Sequence, residues 1–133
     1  MRRNLNFGLL IVLLNIFYSC SRMDGDWDDN IKLSIKNVEF SALGDSVIVT
    51  TDGSWWWINN ISVNDKYFYV PNDSICELDS YLIKHDCFIV ERRDKHTLFI
   101  KVDENPLSEK RIISVELEAG DYFDRVRITQ NAK

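Results

Sequence analysis

From Ile31 onward, apolar and polar residues alternate with a period of two. Ile31, Leu33 and Ile35 are interleaved with Lys32, Ser34 and Lys36, which puts one set on each face of a half-buried strand. A β-branched run holding Val47 and Val49 ends at Thr50-Thr51, before an Asp52-Gly53 turn. Trp55-Trp56-Trp57-Ile58 and Tyr67-Phe68-Tyr69-Val70 come next, the second stopped by Pro71-Asn72-Asp73. Further runs carry Phe88 and Val90, then Leu98, Ile100 and Val102, then Ile113, Val115 and Leu117, and last Val126 and Ile128. Arg92-Arg93-Asp94-Lys95 reads as a solvated turn between two of them. About seven or eight short strands in roughly 100 residues, punctuated by Gly, Pro, Asn and Asp, predict an all-β sandwich over residues 31–133. Leu78, Tyr81 and Leu82 are spaced for a single helical turn between residues 77 and 86.

The last hairpin can be read to its register. Gly120-Asp121 suits the positive φ angles of a two-residue hairpin loop. That loop sets Val115 opposite Val126 and Ile113 opposite Ile128 on one face. On the other face Glu116 meets Arg125 and Ser114 meets Arg127. A slip of one residue would turn one strand inside out, so burial specifies the pairing. Leu117 against Asp124 fits this division poorly.

Residues 1–19 follow another pattern. Arg2 and Arg3 precede an apolar run, residues 7–17, interrupted by Gly8 and Asn15. The run is shorter than the ~20 residues a helix needs to span a bilayer. Charge followed by a short apolar stretch is the order of a cleaved export signal. Its end, Phe17-Tyr18-Ser19-Cys20, resembles the lipobox of bacterial lipoproteins, in which a peptidase cuts before a cysteine that then carries lipid. Ser19 and Cys20 match that motif, while Phe17 and Tyr18 depart from its usual Leu and small residue. The resemblance implies lipidation of Cys20 and a partnership with a membrane through the acyl chains. A secreted protein without lipid is the second reading.

Residues 20–30 contain Asp24, Asp26, Asp28 and Asp29. These charges repel one another and bury no core, so the segment reads as an acidic, flexible tether. It is similar to the acidic stretch behind the lipidated cysteine of surface-exported Bacteroidetes lipoproteins, and a plain spacer explains the same charges. An outer-membrane anchor is expected, on either the surface or the periplasmic face. The whole chain, 133 residues with 16 Lys+Arg and 21 Asp+Glu, has a formal charge of −5. That balance argues against nucleic acid as a partner, because phosphate binding needs a clustered basic surface.

With Cys20 set aside, Cys76 and Cys87 remain. An even pair in an exported protein suggests a disulfide, which by loop entropy would contribute about 2–3 kcal/mol. Two buried thiols are the alternative. There is no CxxC, and His85 and His96 lack ligand spacing, so no metal is expected. His85-Asp86 has no nucleophile context, and Asp103-Glu104 lacks the spacing of a calcium loop. Asp45-Ser46-Val47 and Asp73-Ser74-Ile75 resemble Bacteroidetes O-glycosylation acceptors, at places where turns favour Asp and Ser anyway. The sequence carries no enzyme signature, and no cofactor is expected.

The stretches 98–105, 111–120 and 124–130 together resemble the C-terminal half of a BACON-type domain. That family comprises immunoglobulin-like sandwiches of Bacteroidetes exported proteins. Its closing pattern places an Asn at a strand end, an Arg at the next strand's start, a Gly-containing hairpin, and a final Thr-Gln or Val-Gln. Asn105, Arg111, Gly120 and Gln130 occupy those places. The chain departs from the family at Cys87-Phe88, where a second tryptophan is expected, and at an insertion over residues 75–86. The resemblance implies an immunoglobulin-like fold and carbohydrate binding or a spacer role.

Trp55, Trp56 and Trp57 are the candidate carbohydrate-binding residues. Neighbouring side chains on a strand point to opposite faces, so all three cannot enter one core. Exposed rings stack on the apolar C–H faces of sugars and lose little entropy on binding. The alternative packs the outward rings under residues 75–86 or against Tyr67 and Tyr69. The expected function is a non-catalytic cell-envelope module that binds glycan or acts as a spacer. The competing class is an envelope assembly subunit that binds a protein partner through an exposed strand edge.

Overall fold

The computed structural model describes residues 28–69 and 73–133, so the segments expected to be an export signal and most of an acidic tether, with Cys20, lie outside it. Among the described residues there are nine strands and one short helix. They run β1 (Asn37–Phe40), β2 (Asp45–Thr50), β3 (Trp57–Val63), β4 (Lys66–Tyr69), α1 (Asp73–Cys76), β5 (Tyr81–His85), β6 (Phe88–Asp94), β7 (Thr97–Val102), β8 (Arg111–Ala119) and β9 (Tyr122–Gln130). The larger sheet has the order β1-β9-β8-β3-β4 and the smaller β2-β7-β6-β5. β1 runs parallel to β9, and the other pairings are antiparallel. β9-β8-β3 facing β2-β7-β6 is the strand arrangement of an immunoglobulin-like sandwich, with β4 and β5 as added edges.

The expected fold class is therefore the observed one. Burial along β8 alternates at every residue from Arg111 to Ala119, which is the pattern of a strand with one face in a core. The β8–β9 register pairs Val115 with Val126, Ile113 with Ile128, Glu116 with Arg125 and Ser114 with Arg127, as the sequence predicts. Gly120 sits at φ 64 in the connecting turn, the left-handed first position that a two-residue hairpin of this kind reserves for glycine. Asp124, the ill-fitting partner of Leu117, is held by Lys36 at 2.7 Å. The β3–β4 turn has positive φ at both Asn64 and Asp65. An Asn-Asp pair before Lys66 was the available signal for this hairpin.

Three expectations need correction. Residues 81–85 form β5, not a helical turn; Tyr81 and Ile83 pack on the core while Leu82 points outward. The helical turn lies earlier, at α1. Cys76 and Cys87 are not joined. Cys76 ends α1, near Tyr81, and Cys87 lies in the turn at the far end of β5. A five-residue strand spans roughly 16 Å, whereas a disulfide needs Cα atoms within about 7 Å. Arg92, assigned to a solvated turn, is 2% exposed inside β6. Phe88, Val90 and Arg92 share the inward face by their spacing of two.

The body also begins slightly before Ile31. Asp29 accepts hydrogen bonds from the backbone N–H groups of Ile31 (3.1 Å) and Lys32 (2.7 Å). Ile31, fully buried, closes the core above β2. Asp29, expected at the end of a tether, is thus hydrogen-bonded into the folded unit.

At one end of the sandwich, Asn105, Arg111 and Gln130 form a buried polar cluster. Arg111 Nε donates to Gln130 Oε1 at 2.9 Å, and its Nη2 donates to the carbonyls of Asp103 (2.9 Å) and Glu104 (2.8 Å). Gln130 Nε2 donates to the carbonyls of Asp103 and Ala42. Asn105 Nδ2 ties the carbonyls of Glu109 and Asn131. These residues fasten the loop after β7 to the starts and ends of β8 and β9. Burying a guanidinium is costly unless its N–H groups find acceptors, and here carbonyl oxygens supply them.

Candidate functional site

The opposite end of the sandwich carries the tryptophans. Trp56 points inward and is 1% exposed. Its Nε1–H is shared between Thr51 Oγ1 (3.0 Å) and the Lys95 carbonyl (2.8 Å). Trp55 points outward and is 70% exposed, while Trp57 is half-buried at the start of β3. The rings divide between outward and inward sides, but β3 begins only at Trp57, so Trp55 and Trp56 lie in the approach to the strand and not within it.

Trp55 and Trp57 meet edge to face, with ring centroids 5.5 Å apart and planes at 77°. This geometry suits the ring quadrupoles. Trp55 also lies over the β8–β9 turn: a Cβ added to Gly120 would come within 3.3 Å of its ring. Glycine at this turn therefore serves both backbone conformation and the seating of the indole. Trp57 stands beside Glu118, its partner across β3 and β8. Burial raises the Glu118 pKa above its ordinary value, the Trp57 indole opposing this and Glu116 and Asp121 adding to it.

Ser54, the three tryptophans, Cys76, Glu77, Asp79 and Arg92 enclose a cleft of about 430 Å³. Arg92 is its buried cation. Its Cζ stacks 4.5 Å from the Trp56 ring, and Nη1 and Nη2 donate to the carbonyls of Leu78 (2.6 Å) and Ser54 (3.1 Å). Its Nε has no hydrogen-bond partner among the described residues. Burial lowers the Arg92 pKa from its ordinary value, against the opposing influence of Tyr81, Asp79 and Asp94. Asp79 faces Lys95 at 3.6 Å on the rim, where both side chains are well exposed.

Behind the cleft, Tyr81 Oη accepts the Ile58 backbone N–H at 2.8 Å. Tyr69 is pushed up to about 12, chiefly by burial, with Tyr81 and Cys76 adding to the shift. The arrangement offers an aromatic platform beside carboxylates and a fixed cation, which is a set of groups for stacking and hydrogen bonding to hydroxyls.

Of the residues singled out in the sequence, Trp55 and Trp57 come together with the cleft, and Trp56 forms its floor. Cys76 borders the cleft, and Cys87 does not. Cys20 lies outside the described residues. His85 is wedged between Phe68 (4.3 Å) and Phe88 (5.2 Å), a packing position rather than a dyad with Asp86. Arg92 was missed, although its spacing from Phe88 and Val90 marked it as inward-facing.

No protein-family model and no curated protein matches the chain. Solved structures do. The NMR structure of a protein from Bacteroides thetaiotaomicron superposes with a TM-score of 0.66 at 22% identity, covering 86% of this chain and 98% of that one. A Bacteroides ovatus GH5 xyloglucanase, in complex with a XXXG heptasaccharide, aligns with a TM-score of 0.48 at 19% identity, covering 77% of this chain and 19% of the enzyme. The first likeness establishes the sandwich fold. This chain spans a small fraction of the xyloglucanase.

Proposed function

We propose that the protein is a non-catalytic glycan-binding module of a bacterial cell envelope, related to the BACON-type domains and anchored to the outer membrane by lipid on Cys20. Its sugar platform is Trp55 with Trp57, and the cleft beside them receives hydroxyl groups.

One observation carries this reading. Trp55 presents most of its indole to solvent yet is fixed by Trp57 and by the Gly120 turn. A large ring held open in this way loses little entropy when a ligand covers it. Affinity electrophoresis through gels containing neutral or acidic polysaccharides tests the proposal. Wild type is retarded by at least one polysaccharide, and W55A/W57A runs free while melting cooperatively. Equal retardation of both proteins overturns the platform. No retardation of wild type in any gel overturns glycan binding.

A second reading, a protein-interaction subunit, is favoured by β5. This strand forms an edge of the smaller sheet, and its Leu82 is 56% exposed. Open edges pair with strands of other chains. Chemical cross-linking in envelope preparations followed by mass spectrometry tests it: cross-links confined to β5 support the assembly role.

A further inference from the structure

The outer face of the larger sheet continues away from the tryptophans in register. The row Trp57–Glu118–Phe123 is followed by Asn60–Glu116–Arg125 and then by Ser62–Ser114–Arg127. Four residues of β8 separate the first row from the last, roughly 13 Å. In the sequence, Glu116 and Arg125 stand opposite each other as complementary charges. In the structure Glu116 lines the same groove as Arg125, but amides rather than the guanidinium hold its carboxylate. Glu116 Oε1 accepts from Asn59 Nδ2 and from Asn60 Nδ2, each at 2.7 Å.

Arg125 is left without its acid. Neither its side chain nor that of Arg127 forms an ion pair or hydrogen bond among the described residues. The neighbouring cation Lys36 is engaged with Asp124 and Asp29. The two guanidinia lie on one face of β9, about 7 Å apart along the strand. They border a groove of about 140 Å³ that also receives Ser62, Ser114 and the ring of Tyr67. Asp65 stands on the same groove, at its β4 side.

Two unpaired guanidinia beside hydroxyl groups and an exposed aromatic ring form a set for a sugar that carries a planar anion. A carboxylate matches the guanidinium fork with two parallel hydrogen bonds, while Tyr67 offers a stacking face. We propose that Arg125 and Arg127 recognise the carboxylates of a uronic-acid-containing glycan whose chain runs along this face from Trp57. This inference rests on the glycan-binding reading and narrows it to acidic polysaccharide. General attraction to polyanions is an inadequate source of such binding, because the chain carries a net −5 and would be repelled.

The test compares wild type, R125Q/R127Q and W55A/W57A in gels containing polygalacturonate, dextran sulfate or neutral xyloglucan. Wild type is expected to be retarded most by polygalacturonate. R125Q/R127Q, which removes two exposed ion pairs to the glycan, should lose about tenfold in affinity for it, and keep its mobility in xyloglucan. Both arginines are exposed, so the variant keeps its melting temperature. Retention of R125Q/R127Q equal to wild type in polygalacturonate overturns the inference. Equal or stronger retention of wild type by dextran sulfate overturns the choice of carboxylate. Binding to xyloglucan alone, lost in W55A/W57A, overturns the arginine site and leaves the platform standing; no binding to any gel removes both.

Discussion

Arg111 and Arg92 are both buried, at opposite ends of the same sandwich. Arg111 is surrounded by acceptors: a side-chain amide and two loop carbonyls take its Nε and Nη2 hydrogens, and Gln130 and Asn105 extend the network into neighbouring loops. Arg92 finds two carbonyls and the face of Trp56, while its Nε is left without a partner. A cleft opens beside Arg92. The first end is a closed polar clamp that holds strands together. The second leaves one buried donor unpaired and keeps exposed aromatic surface beside a cleft, where a ligand gains most from binding.

This contrast can be broken by the same substitution at each end. R111M removes three hydrogen bonds to a charged donor and strands Gln130 Oε1, and it should cost about 3 kcal/mol or more in a urea titration. R92M removes two such bonds but leaves no unpaired Nε, and a methionine retains contact with Trp56, so its cost should be about 2 kcal/mol. Equal losses would show that both ends are structural clamps. A larger loss at Arg92 would invert the assignment.

A smaller effect belongs to Asp29, ahead of β1. Burial raises its pKa, but the backbone hydrogen bonds from Lys32 and Ile31 and the charge of Lys36 outweigh this, and the net shift is downward. A carboxylate with a lowered folded-state pKa stabilises the fold above its unfolded value and loses that contribution as pH falls through the folded one. D29A should therefore cost about 1 kcal/mol at neutral pH. The gap to wild type should close below about pH 4. A pH-independent gap, measured by urea midpoints from pH 7 to pH 3, would mean that Asp29 acts by packing alone.

Much of the architecture was legible because burial on one face leaves a period of two in the sequence. Val115, Val126, Ile113 and Ile128 declare their register in this way, and Gly120 declares the turn. β5 was misread because Leu78, Tyr81 and Leu82 satisfy a helical spacing by coincidence, while the true signal is the shorter alternation of Tyr81 and Ile83 around an exposed Leu82. Arg92 was misread because charge suggests solvent, and its cost of burial is offset by carbonyls of Leu78 and Ser54 that lie far away in sequence. The same limit applies to Glu116: strand register gave its neighbour Arg125, but the amides of Asn59 and Asn60 took its carboxylate. Long-range competition among polar groups leaves no local pattern. The split of Trp55, Trp56 and Trp57 between inward and outward sides was readable, but the contact of Trp55 with the Gly120 turn was not, because the two are far apart in sequence.

The division of labour between the two ends is tested most directly by NMR on ¹⁵N-labelled protein during titration with oligogalacturonate. The indole Nε1–H signals of Trp55 and Trp57 and the Nε–H signals of Arg125 and Arg127 are expected to shift together on one binding curve, while Arg111 Nε–H stays in place. Shifts centred on Arg111 or along β5, or no shift at saturating ligand, would contradict it.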